Sequence, residues 1–376
     1  MNVVNGDPRR AGTREHPHRA WLSPTAGSHP PRADRPAGRT RIGFHASHEQ
    51  IPPEELLRLV VRAEAVGFDG AMCSDHLAPW GIAQGSSGHA WTWLGAALAS
   101  TGFPIGVVTA PGQRYHPAVL AQAIGTLGRM FPGRFWAACG SGEALNEHVT
   151  GDPWPDHEAR DDRLLASVDV IRRLLAGEEV DADGPVRVHR ARVWSRPAAI
   201  PPTLAAAVST RTAGWAASWA DGLITTGCDP RTTGAVRRAY RSRGGRGPLV
   251  LQVHLALADS AVAAGCIARE QWRQATVPPA LMWDLQQPED FDSRATDDPG
   301  SLAEAVALAG SVAELVERVV PAAAGYDEVH LHHVGTDQER FLDRCPELLR
   351  LLRARLPRIA EDGRADGTPA GREGPS

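Results

Sequence analysis

Along this chain, short apolar runs alternate with stretches whose apolar residues recur at helical spacing. Residues 41–47 read as a strand. Pro52 and Pro53 then open a helix with an apolar face of Leu56, Leu59, Val60 and Ala63, at i, i+3, i+4 and i+7, and Gly67 ends it. The pattern repeats. Strands are predicted over 68–73, 103–109, 134–140, 202–208, 221–226, 248–256 and 327–334. Helices are predicted over 91–100, 117–130, 161–176, 210–219, 231–241, 261–273, 302–319 and 338–356. Strand and helix thus alternate through the number of periods that closes a (β/α)8 TIM barrel, in the α/β class. A doubly wound open sheet is the alternative, but it usually has fewer periods or a second domain. Two segments, 143–161 and 277–299, exceed ordinary connection lengths and read as lid or interface pieces.

Composition narrows the function classes. With 376 residues, 42% hydrophobic and 22% charged, the chain can bury a core without disulfide staples. A formal charge of -4 argues against a general nucleic-acid binder, and no apolar run reaches membrane-spanning length. The 5 cysteines are scattered and form no CxxC pair, which argues against a disulfide framework or zinc ribbon. All 40 basic side chains are arginine, so no lysine Schiff base is available. Residues 1–40 are rich in Pro, Arg, Gly and His, lack the apolar core of a secretory signal, and read as a disordered leader. Residues 358–376 read as a disordered tail, leaving one domain over 41–357 and a cytoplasmic location as the expectation.

A barrel gathers the carboxyl ends of its strands at one mouth, where chemistry sits. Polar residues recur there: His45, Ser47, His48 and Glu49; Ser74-Asp75-His76 with Trp80; Thr109; Ser141, Gly142 and Glu143; His254; His332 and His333. A lone histidine is most often a hydrogen-bonded core residue, whereas a set repeating at one end of successive strands points to a site. Two glycines around Ser141 allow backbone N–H groups close approach to a ligand, and Ser209 and Thr210 at a helix start offer either a phosphate contact or simple N-capping. Trp91 and Trp93 read as core. His45, His48, Asp75, His76, His254 and His332 are also plausible metal-ligand types, so a metal-dependent hydrolase is a competing class. A ligand-binding or sensing module without turnover is a third.

At these positions the chain resembles the luciferase-like flavin- and deazaflavin-dependent oxidoreductases. The resemblance runs through most of residues 41–357. It rests on Gly43–Gln50, Ala71–His76 with Pro79-Trp80, Val107–Pro117, Phe131–Arg134, Gly140–Glu147, Ala220–Gly222 and Asp337–Phe341. It implies a flavin at the barrel mouth, FMN in the branch with the most similar strings, with an 8-hydroxy-5-deazaflavin coenzyme as the alternative. It further implies hydride exchange with a small-molecule substrate, and a homodimer. By the resemblance, His76, Glu143 and Glu49 are the catalytic set, with His76 the base and Glu143 a proton donor. Asp75, Val107, Val108, Ser141, Gly142, Asn146, Ser209 and Thr210 hold the cofactor, with a non-prolyl cis peptide near Val107-Val108. Trp80, His45, His254 and His332 line the substrate pocket. No metal is implied. The deazaflavin-dependent glucose-6-phosphate dehydrogenases have a sugar-phosphate-gripping lysine after the sixth strand. Here Cys228-Asp229 stands in that place, which speaks against glucose 6-phosphate as substrate.

Overall fold

The computed structural model describes residues 39–356. Nearly all of the expected leader and the whole tail lie outside the described residues. The strands are β1 (Arg41–Ala46), β2 (Gly70–Ser74), β3 (Ile105–Thr109), β4 (Phe135–Cys139), β5 (Val180–Asp183), β6 (Arg187–Ala191), β7 (Thr203–Ala206), β8 (Leu223–Thr226), β9 (Leu249–Leu257), β10 (Ala307–Ala309) and β11 (Glu328–His333). The α-helices are α1 (Pro53–Val66), α2 (Ala90–Ser100), α3 (Pro117–Met130), α4 (Ala144–Glu147), α5 (His157–Ala176), α6 (Thr210–Ala216), α7 (Pro230–Ser242), α8 (Ala261–Trp272), α9 (Pro279–Met282), α10 (Pro288–Arg294), α11 (Pro299–Ala305), α12 (Val312–Ala322) and α13 (Gln338–Arg355).

Eight parallel strands close a barrel in the order β1-β2-β3-β4-β7-β8-β9-β11, with β11 returning to β1. This is the expected TIM barrel. Alternation along each strand sorts the side chains. Ile42, Phe44, Val107, Leu251 and Val329 face the helices and join the main core. Met72, Trp136, Ala138, Leu204, Ile224 and Val250 fill the barrel interior. Two inward glycines make room for large rings: a Cβ on Gly106 would lie 2.0 Å from the Trp136 ring, and one on Gly43 would lie 2.2 Å from His330. Packed side chains thus plug one end and leave chemistry to the carboxyl ends of the strands.

Three expectations change. The helix read over 302–319 is broken into α11, β10 and α12. Ala307–Ala309 pairs with Leu255–Leu257 of β9, and Ser311 caps α12 by accepting from Glu314 N. The hairpin β5–β6 lies in a stretch read as a connection; its polar outward residues hide the alternation of Val186 and Val188, which are buried. Helix α5 starts at His157 rather than Asp161, because Asp156 caps it by accepting from Ala159 N. No helix among the described residues is long and apolar enough to cross a membrane.

Candidate active site

Strand alternation decides what the Ser74-Asp75-His76 string does. Asp75 points outward, toward α2 and α3. Its carboxylate accepts from Trp91 Nε1 (2.9 Å), Thr109 Oγ1 (2.8 Å) and Tyr115 OH (3.2 Å), and pairs with Arg114 at 3.3 Å. Its oxygens are occupied by protein donors, so it braces the mouth rather than the ring edge expected for it. Trp91, read as core, is buried and is also one of those donors.

His76 points inward between two carboxylates. Its Nδ1 lies 2.6 Å from Glu49 Oε1 and its Nε2 lies 3.2 Å from Glu143 Oε1. The His76 and Glu143 side chains are 15% and 12% exposed, so both are open to a ligand, while Glu49 at 2% is sealed beneath. Burial alone would lower the His76 pKa, but the charges of Glu49 and Glu143 at its two ring nitrogens win and push it up to about 10. Burial would likewise raise Glu49, yet the His76 charge brings it down to about 2. The expected base is therefore an imidazolium at neutral pH, already carrying its proton.

The carboxylates are held from the side. Ser47 Oγ donates to Glu49 Oε2 at 2.8 Å. Asn146 Nδ2 donates to Glu143 Oε1 at 2.7 Å, while its Oδ1 accepts from Leu77 N at 2.7 Å. Asn146, expected on the cofactor, instead ties the Glu143 turn to the loop after His76. The Trp80 ring stands edge-on to His76 at 5.1 Å between centroids.

Deeper in the barrel, His45, His254 and His332 gather from β1, β9 and β11. His45 stacks on His332 at 4.1 Å, and His254 lies 5.1 Å from His332. Gln252 Nε2 bridges His254 Nε2 (3.2 Å) and His332 Nδ1 (3.1 Å), and Gln50 Oε1 meets His332 Nε2 at 3.0 Å. Burial lowers His45 to about 3, His254 to about 4, and His332 far below the ordinary range, so the cluster is neutral. His45 and His332 are nearly sealed, and only His254 is partly exposed. Gln50 and Gln252 escaped the sequence reading, although the alternation that places His254 inward also places Gln252 inward.

With that geometry in place, likeness to known proteins is informative. The profile of the luciferase-like monooxygenase family matches residues 38–324. The chain belongs to the luciferase-like monooxygenase family. Among curated relatives, the F420-dependent glucose-6-phosphate dehydrogenase of Beutenbergia cavernae is 43% identical over 189 residues, covering 50% of this chain and 56% of the relative. The chain therefore matches little more than half the length of that relative. The protein of the same name from Kribbella flavida is 32% identical over 322 residues, covering 82% of this chain and 96% of its own length. Among solved structures, an F420-dependent secondary alcohol dehydrogenase in complex with an F420-acetone adduct superposes with a TM-score of 0.77 at 27% identity, covering 84% of this chain and 99% of that one. A coenzyme F420-dependent tetrahydromethanopterin reductase from Methanopyrus kandleri shares the fold, with a TM-score of 0.65 at 18% identity, covering 82% of this chain and 98% of that one.

In this luciferase-like protein the remaining cofactor expectations sort by direction. Val108 faces the interior and is partly exposed, whereas Val107 faces the helices and is sealed. All peptide bonds among the described residues are trans, so the expected cis bond at Val107-Val108 is absent. Both residues sit in regular ladders, opposite Cys73 and Ser74 on one side and Ala137 and Ala138 on the other. Ser141 and Gly142 are partly exposed at the end of β4. Gly142 adopts φ +81°, and a Cβ there would lie 3.3 Å from Ala110 Cβ and 3.1 Å from Glu147 Cγ. Ser209 caps α6 by accepting from Thr212 N, and both Ser209 and Thr210 are exposed. Among the expected cofactor positions, the inward Val108 and the Ser141-Gly142 turn are partly exposed, whereas Asp75 and Asn146 are buried. The ligand types of the competing metal reading are dispersed: Asp75 outward, His48 against Trp93 at 4.9 Å, His76 between Glu49 and Glu143, and His45, His254 and His332 in the imidazole cluster.

Proposed function

We propose that this protein is an oxidoreductase that moves a hydride between a small organic substrate and a deazaflavin coenzyme at the barrel mouth. The observation that carries the reading is His76, held between Glu49 at 2.6 Å and Glu143 at 3.2 Å beside the partly exposed Trp80 ring. The two glucose-6-phosphate dehydrogenases and the secondary alcohol dehydrogenase named above are F420-dependent, which favours the deazaflavin over FMN, the cofactor placed first by the sequence. The bound ring would supply or accept the hydride. Val108, Ser141 and Gly142 would hold it.

The protein's own groups handle the proton. In carbonyl reduction, His76 Nε2 gives its proton to the substrate oxygen as that oxygen gains negative charge, and Glu49 holds the ring in place through Nδ1. In alcohol oxidation the same path runs backward: Glu143 Oε1 takes the Nε2 proton of His76, and the freed Nε2 accepts the hydroxyl proton. His76 is thus donor or acceptor according to direction, with Glu143 as the proton's other holder. Asn146 and Ser47 fix the two carboxylates, and Trp80 excludes water. A homodimer is the proposed assembly, in keeping with the resemblance.

The test is titration of purified protein with the oxidised deazaflavin and, separately, FMN. Melting temperature and protein fluorescence are followed, and a panel of secondary alcohols is then added while the deazaflavin absorbance is recorded. Deazaflavin binding with alcohol-dependent bleaching supports the reading. Stabilisation by FMN alone contradicts it.

A further inference from the structure

The segment from Val277 to Pro299, too long for an ordinary connection, forms a strap across both arms of the histidine clamp. On one side it grips the Glu143 turn. Trp283 O accepts from Ala144 N at 3.0 Å, Gln287 Nε2 meets His148 Nε2 at 3.0 Å, and Trp154 Nε1 donates to Asp284 Oδ1 at 3.1 Å. On the other side it grips the Trp80 loop. Ile82 N donates to Asp292 Oδ2 at 3.0 Å, and a Cβ on Gly81 would lie 2.9 Å from Asp292 Oδ1, so that loop runs tight against α10. Arg273 Nη2 donates to Asp292 O at 2.8 Å and anchors the strap to the end of α8.

Between the two grips sits Phe291. Its side chain is 0% exposed, although α10 is a short, otherwise polar surface helix. It packs with Leu145 of α4 and with Val277, and its ring meets the Trp80 ring edge-on at 5.3 Å. Trp80 in turn stands edge-on to His76 at 5.1 Å. Phe291, Trp80 and His76 therefore form a file of three rings running from the strap to the proton-bearing imidazole. Burial of the phenylalanine ring and the defined geometry of edge-to-face ring pairs give this file a preferred arrangement.

We infer that Phe291 is a positioning residue: it sets Trp80 against His76 and so controls how much water reaches the imidazole. The inference rests on the proposed role of His76 but concerns the strap, which that reading leaves unused. The Phe291 ring meets the Trp80 ring, and the Trp80 ring meets His76. The effect of Phe291 is transmitted through Trp80, which gives it a signature that a merely structural residue lacks.

The experiment is an NMR pH titration of histidine ring carbons in the full chain without added cofactor or substrate, with the His76 signal assigned by its loss in His76→Gln. The variants are Trp80→Ala, Phe291→Ala, Phe291→Leu and the Trp80→Ala/Phe291→Ala double. Opening the Trp80 wall hydrates the clamp and weakens the hold of the carboxylates. The His76 midpoint is expected to fall by about one pH unit in Phe291→Ala and to recover most of that in Phe291→Leu. In the Trp80→Ala background, Phe291→Ala is expected to move it no further, because interacting pairs are non-additive. Additive shifts in the double variant, or an unmoved midpoint in Phe291→Ala, overturn the inference. If Phe291→Ala does not fold, Phe291→Leu with and without Trp80→Ala decides by the same criterion. No turnover enters the readout, so failure here is distinct from failure of the hydride-transfer reading.

Discussion

His76 Nδ1 lies 2.6 Å from Oε1 of Glu49, a carboxylate sealed in the barrel with 2% of its side chain exposed. At that separation and burial the pair attracts strongly enough to offset the desolvation of both groups. With Glu143 on the other ring nitrogen at 3.2 Å, the imidazole is charged before any ligand arrives. The protein's proton chemistry is therefore set by two glutamates as much as by the histidine.

His76→Ala is expected to leave the deazaflavin dissociation constant within a few-fold of the parent while lowering turnover by about 10²-fold or more, the usual scale for a lost proton-transfer group. Equilibrium titration beside steady-state kinetics checks this. Equal losses in both would make His76 a binding residue.

Asn146→Ala removes the amide that joins Glu143 to Leu77 N. Glu143 then loses its fixed orientation. Misplacement of a reacting group by about 1 Å can lower rates as much as 10²-fold. The expected outcome is a fall in kcat of about tenfold or more with KM changed far less. An unchanged kcat would show that Glu143 needs no such support.

The legibility of the chain divides along physical lines. All eight barrel strands were readable, because their buried runs are bounded by glycine, proline and polar ends. The break at Val306–Ser311 was not, since Leu308 and the flanking apolar residues satisfy a helical spacing as well as a strand; only the pairing of β10 with β9 decides. His76, Glu49 and Glu143 were legible through the family resemblance, but their charge states were not, because these depend on distances between three loops. The hydrogen bonds of Asp75 and Asn146 were not legible, since nothing local in the sequence reveals their donors and acceptors. Phe291 gave no signal at all, being one aromatic residue in an acidic surface stretch.

The buried neutral histidines give the acid dependence a definite sign. His45 is lowered to about 3, His48 to about 4 and His254 to about 4, each chiefly by burial. An unfolded histidine titrates near ~6.5, so below that pH the unfolded chain binds more protons than the folded one, and stability falls as pH drops toward 4. His76 acts oppositely: its raised pKa gives stability that is fully present below ~6.5 and is lost as pH rises through about 10. Since the lowered imidazoles outnumber it, the urea midpoint is expected to be lower at pH 5 than at pH 7. Equal midpoints would show that the cluster is hydrated.

Glucose 6-phosphate is expected to be a poor substrate. The chain has no lysine, and Asp229 caps α7 by accepting from Thr232 N at 2.9 Å instead of offering a cation. The inner histidines carry no charge, and the strap adds Asp284, Asp290 and Asp292 around the mouth, which disfavours a dianion. Steady-state kinetics with the deazaflavin should show higher kcat/KM on neutral secondary alcohols than on sugar phosphates. Saturation by glucose 6-phosphate below about 1 mM, a usual KM range for a native substrate, would refute this.

The charged His76 at the centre of this account is most directly tested by its own titration in the wild-type protein, followed by ring-carbon NMR with Glu49→Gln and Glu143→Gln beside it. A midpoint near 10 is expected in the wild type, lowered by about one unit or more in Glu49→Gln and by less in Glu143→Gln. A wild-type midpoint near ~6.5, the value of a free imidazole, with neither variant moving it, would show that the two carboxylates do not hold the proton on His76.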